Sequence, residues 1–215
     1  KKMMRSFVLF HGEKNRLGQL VSGLIFVAVF ALEKTLFESI YLVVIFSILL
    51  VIAVYDMRHQ IIPDGLVAII AVLSVAWFLW SIPGETLRAF HFPYYWTLLA
   101  GPLLFLPFWV LWFFSRGRWM GLGDGKLAVF IGWFLGMTLG MSAIMIGFWV
   151  GALFAGVVIA VQRIQQKMNI SKSTSRWSLK SEIPFGPFLI LGVVVVYFTH
   201  INFFDGSVNL FDILF

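Results

Sequence analysis

Two aspartates in this sequence stand where an acid is expensive. Asp124 lies in the stretch Gly121-Leu122-Gly123-Asp124-Gly125-Lys126-Leu127, at one end of an apolar run. Asp56 closes the apolar run Tyr41 to Tyr55 and opens Asp56-Met57-Arg58-His59-Gln60-Ile61-Ile62-Pro63-Asp64. A carboxylate at bilayer depth costs roughly 2.5 to 3.5 kcal/mol even on lenient insertion scales, so each acid is a functional candidate by default. Held close together, two carboxylates cannot both ionise cheaply; they share a proton, and one acts as base while the other acts as acid. That suits hydrolysis by an activated water. The ionised Asp draws a proton from water, the water attacks a peptide carbonyl, and the protonated Asp hydrogen-bonds the developing oxyanion. The sequence does not decide which Asp begins as the base, because such a titration belongs to the pair.

The elements that must position this pair are membrane helices. Of 215 residues, 60% are apolar and only 12% charged, a balance too apolar for a soluble domain of this length. Runs long enough to approach a span of about 20 residues occur at Leu17 to Leu32, Phe37 to Tyr55, Leu66 to Ile82, Trp96 to Phe114, Leu122 to Leu139, Met141 to Val161 and Pro184 to Thr199. The fold class expected is therefore all-α, a polytopic bundle of about seven transmembrane helices. Residues 1–16 read as a cytoplasmic N-terminal segment open to truncation, since the first residue is Lys; 17–199 as the transmembrane domain; and 200–215 as an extracytoplasmic tail. Gln162 to Glu182 reads as a mobile, basic cytoplasmic loop able to attract anionic lipid.

Positive charge accumulates on the cytoplasmic side of a membrane protein. In the seven-helix reading, the N-terminal segment and the second, fourth and sixth connections carry every Lys and Arg except Lys34 and Arg88. The N-terminus is thereby assigned to the cytoplasm, and the net charge of +6 is explained by orientation rather than by nucleic acid. Asp56 and Asp124 then share the cytoplasmic boundary, where the second and fifth helices can bring them together. Gly132, Gly136 and Gly140 recur every four residues on one predicted helix, and Gly147, Gly151 and Ala155 on the next; such small faces allow close approach, although the spacing is common in membrane helices.

Around the pair, Gly121, Gly123 and Gly125 permit backbone conformations and approaches that a side chain would block. Pro63 biases Ile62 away from helix, so the segment after Asp56 is expected to be extended or turned, with Asp64 as N-cap of the third helix. Lys126 reads as a partner for a carboxylate or a lipid phosphate, or as a snorkelling interfacial lysine. There is no cysteine, the four histidines have no ligand spacing, and neither G-x-S-x-G nor H-E-x-x-H occurs, so no metal site is expected.

The Asp56 to Asp64 segment, the Gly121 to Leu127 segment and Ile183-Pro184-Phe185-Gly186-Pro187-Phe188, in that order, resemble the type IV prepilin peptidases, the GxGD class of intramembrane aspartyl proteases. The resemblance implies that Asp56 and Asp124 are the catalytic pair, supported by Pro184, Gly186 and Pro187 as well as by the residues above. It implies cleavage of the N-terminal leader of a prepilin or pseudopilin at the cytoplasmic face of the inner membrane, for pilus assembly or type II secretion. The implied partners are that substrate helix and membrane lipid. Peptidase activity implies no cofactor. Many bacterial members also methylate the new N-terminus with S-adenosylmethionine and carry a zinc domain with paired cysteines; the absence of cysteine here puts that second activity in doubt. A leader peptidase of the archaellin type would use the same two Asp motifs. The rival from another class is a proton- or cation-coupled transporter, but both acids lie at one face and no matched pair of interrupted helices suggests an inverted repeat.

Overall fold

A computed structural model describes residues 23, 35–81, 92–118, 120–167 and 184–204. Every regular element among them is an α-helix: α1 (Leu36–His59), α2 (Asp64–Ser81), α3 (Phe92–Ser115), α4 (Leu122–Lys167) and α5 (Gly186–Thr199). Three stretches are long and apolar enough to cross a membrane, Leu36–His59, Leu98–Ser115 and Leu122–Val161; Asp64–Trp80 and Gly186–Thr199 are shorter apolar helices. The expected first run, Leu17 to Leu32, lies outside the described residues apart from Gly23, which is helical. The tail beyond Phe204 lies outside them too.

The predicted fifth and sixth helices are both present as the two arms of α4, and the break between them falls at Gly136 rather than beside Gly140. Gly136 has φ 80 and ψ −174, a backbone region essentially restricted to glycine. The chain folds back there. A β-carbon added at Gly140 would lie 3.5 Å from Ile131 O and 3.6 Å from Gly132 Cα, whereas eight residues of straight helix would separate Gly140 from Gly132 by roughly 12 Å. The Gly132, Gly136 and Gly140 stripe is therefore not one helical face; its middle member makes the turn. The second arm also runs on to Lys167, so the first six residues of the expected loop at Gln162 are helical.

The chain divides into two compact units, Lys1–Val51 and Ile52–Phe215, and α1 begins in the first and ends in the second. In the first unit α1 opens on a capping sequence, Thr35-Leu36-Phe37-Glu38: the Glu38 N–H donates to Thr35 Oγ1 at 3.3 Å and Ser39 N–H donates to Thr35 O at 3.1 Å. In the second unit α4 is central, packing against α2, α3 and α5.

The contact between α3 and α4 depends on a proline. Pro102 sits inside α3 and has no N–H to give Leu98 O, its acceptor four residues back. Trp133 Nε1 fills the vacancy, donating to Leu98 O at 2.8 Å. Gly101 makes room for the indole, since an added β-carbon would lie 2.7 Å from Trp133 Nε1. Beside it, a β-carbon at Gly132 would lie 2.6 Å from the Ala100 carbonyl, so the two backbones are in direct contact.

Candidate active site

Five chain segments meet at one end of the second unit. Asp56 occupies the last turn of α1, which continues to His59 rather than stopping at the acid as the sequence reading expected. The helix closes with the Gln60 N–H donating to Asp56 O at 2.8 Å, and the left-handed φ of 53 at Gln60 turns the following chain out of the helix. Ile61, Ile62 and Pro63 are non-helical, as the proline dictates. α2 then starts on the Pro63 carbonyl, which accepts from Leu66 N and Val67 N at 3.1 and 3.3 Å. Asp64 is consequently the first residue inside α2 rather than its N-cap, and its Oδ2 takes a different partner, Lys126 Nζ at 2.6 Å.

Asp124 lies in the first turn of α4, where an acid favours the helix terminus. The N-terminus of α5 completes the arrangement. Its capping position is Phe185, which offers no side-chain acceptor, and proline stands in the first turn. The Gly186 N–H is satisfied from elsewhere: it donates to Asp56 Oδ2 at 3.1 Å. Both Asp56 and Asp124 are buried, 4% and 8% exposed.

The two acids line one open cleft of about 780 Å³. Of the residues expected to support them, Gly121, Gly123, Pro63, Asp64 and Pro184 line the same cleft. The others are not among its lining residues. Gly186 lies under Asp56, where an added β-carbon would come within 2.7 Å of Oδ2. Pro187 belongs to the first turn of α5. Gly125 faces α3, where a β-carbon would meet Phe105 at 3.0 Å, and Lys126 is held by Asp64.

The sequence reading missed one wall. Phe148 and Phe185 pack with ring centroids 4.7 Å apart, and both border the cleft. Arg118 and Met120, from the turn after α3, border it as well. Phe148 carried no signal, being one aromatic among many in an apolar run; only the reversal at Gly136 brings it back beside Asp124. Arg118 entered the charge count alone.

No group of three or more His, Cys, Asp or Glu side chains able to hold a metal converges among the described residues. These 215 residues contain no cysteine and so offer no thiolate ligand.

The model of the type IV leader peptidase family matches residues 43–156, just over half of the chain and both aspartates. The chain belongs to the type IV leader peptidase family. A relative from Stutzerimonas stutzeri, a prepilin leader peptidase/N-methyltransferase, is 27% identical over 144 residues, covering 66% of this chain and 44% of the relative. The chain thus spans less than half the length of that curated leader peptidase. No solved structure matches it. The third motif, at Pro184 and Gly186, lies beyond the residues matched to the leader peptidase family, and joins the first through the Gly186 to Asp56 hydrogen bond.

Proposed function

We propose that this leader peptidase family member is a membrane aspartyl endopeptidase that removes the N-terminal leader of type IV prepilins or pseudopilins at the cytoplasmic face of the inner membrane, serving pilus assembly or type II secretion. The observation carrying the reading is the shared cleft: two buried carboxylates, from helix ends 68 positions apart in sequence, border one space open to a polypeptide. The orientation rests on the distribution of Lys and Arg in alternate connections.

In this mechanism water sits between Asp56 and Asp124. The ionised member takes a proton from the water as it attacks the scissile carbonyl; the protonated member hydrogen-bonds the forming oxyanion, and a proton passes to the departing amine. The Gly186 N–H holds Asp56 Oδ2 and so fixes which oxygen faces the water. Phe148 and Phe185 offer an apolar wall for the substrate helix.

The test mixes purified protein in lipid with a prepilin and follows leader loss by mass spectrometry. Asp56→Asn and Asp124→Asn each abolish cleavage without loss of membrane insertion, because an amide can do neither half of the proton transfer. Near-normal turnover in either variant removes that residue from the pair. With S-adenosylmethionine added, the same spectra read any methyl gain on the new N-terminus.

A further inference from the structure

The connection between α1 and α2 makes contacts that the cleavage chemistry does not itself require. Ile62 is buried, 8% exposed, although it lies in a non-helical stretch bordering an open cleft. Its side chain reaches two glycines at once. A β-carbon on Gly123, the residue before Asp124, would lie 3.0 Å from Ile62 Cβ and 3.5 Å from Cδ1. A β-carbon on Gly186, the residue that donates to Asp56, would lie 3.3 Å from the same Cδ1. One methyl group thus stands between the backbone carrying one acid and the backbone holding the other. Two residues on, Asp64 Oδ2 pairs with Lys126 Nζ at 2.6 Å, tying the end of the connection to the helix of Asp124.

We propose that residues 60–64 form the spacer that sets the gap between Asp56 and Asp124, with Ile62 as its wedge and the Asp64–Lys126 pair as its tie. These are positioning residues, and their role in cleavage rests on the proposed peptidase function. The wedge keeps the Gly123 and Gly186 backbones from closing on each other. The tie stops the connection from lifting off α4. The pair is well exposed, its side chains 40% and 68% accessible, and exposed pairs are weak, so the wedge carries the larger share.

The Ile62 series tests this without altering any charge at the cleft, where Asp64 and Arg118 stay constant. Ile62→Leu retains kcat within about twofold, Ile62→Val loses a few-fold and Ile62→Ala loses about tenfold, with KM changing less than kcat, because misplacing a catalytic group by about 1 Å costs up to about a hundredfold in rate. The two limbs of the pH profile also spread in Ile62→Ala as the carboxylates approach and couple more strongly. Asp64→Asn and Lys126→Gln each lose two- to threefold in kcat, and the exchange Asp64→Lys with Lys126→Asp restores it, in line with the weakness of exposed pairs. A lowered thermal midpoint with kcat unchanged in Ile62→Ala would reduce Ile62 to a structural residue and overturn the proposal.

A second readout needs no activity. The chain has no cysteine, so spin labels on Met57→Cys and Gly121→Cys report the distance between the two acidic segments by electron paramagnetic resonance. The distance shortens when Ile62→Ala, or Ile62→Val if the alanine form does not fold, is added. An unchanged distance overturns the spacer. A shortened distance, with no prepilin cleavage by the unlabelled parent protein, leaves the spacer standing and removes the peptidase reading.

Discussion

Asp56 and Gly186 are 130 residues apart in sequence and joined by a 3.1 Å hydrogen bond from a backbone N–H to a carboxylate oxygen. The bond does two jobs. It satisfies a helix N-terminus whose capping residue, Phe185, has no side-chain acceptor, and it fixes the orientation of an acid in the cleft. Glycine is required there by contact, since a β-carbon would stand 2.7 Å from Asp56 Oδ2.

Gly186→Ala is accordingly expected to displace the Asp56 carboxylate without unfolding α5. Prepilin cleavage falls by about a hundredfold, the cost of roughly 1 Å of misplacement, while helical circular dichroism is retained. Activity within threefold of the parent would show that Asp56 adjusts freely and that the bond does not position it.

The carboxylate pair also sets a pH profile. Below both apparent pKa values neither Asp can act as base, and above both neither can act as acid, so kcat against pH is a bell whose limbs belong to the pair. The profile is measured with a substrate lacking titratable groups near the scissile bond. A plateau extending over the alkaline limb would mean that no protonated carboxylic acid is needed.

Much of this site could be read from residue types alone, because an acid at the end of an apolar run is costly enough to demand a reason. Asp56, Asp124 and the glycines around them were visible that way, as were six of the seven predicted helices, to within a few residues at most ends. The fold-back at Gly136 was not. A glycine every four residues suggests a packing face, and nothing local marks the one that leaves the helical region; the tertiary return of the chain decides it. Phe148 was hidden for that reason. Asp64 was misplaced by one position because Pro63, lacking an N–H but keeping its carbonyl, can itself start the helix, which released the Asp64 carboxylate to pair with Lys126.

The Trp133 to Leu98 hydrogen bond answers a vacancy made by Pro102, and that makes a paired test possible. Trp133→Phe leaves the Leu98 carbonyl unsatisfied and destabilises the protein by about 1 to 3 kcal/mol. Pro102→Ala restores an N–H to the helix, so the double variant recovers part of the loss. Unfolding midpoints in mixed detergent measure all three. Simple additivity of the two changes would show that the indole and the proline are not coupled.

Gly136 and Gly156 separate backbone strain from crowding. A β-carbon at either position meets nothing within 4 Å, so neither replacement clashes. Gly156 lies within the helical second arm of α4 and is exposed, and Gly156→Ala is expected to stabilise by about 0.4 to 1 kcal/mol by removing freedom from the unfolded chain. Gly136 has φ 80 and ψ −174, and Gly136→Ala is expected to destabilise by about 1 to 3 kcal/mol through conformational strain alone. Opposite signs in the two unfolding midpoints support the fold-back; equal stabilisation would mean that residue 136 is helical in solution and that the two arms of α4 run straight. In that case Phe148 would stand far from Asp124, and Phe148→Ala would leave cleavage untouched.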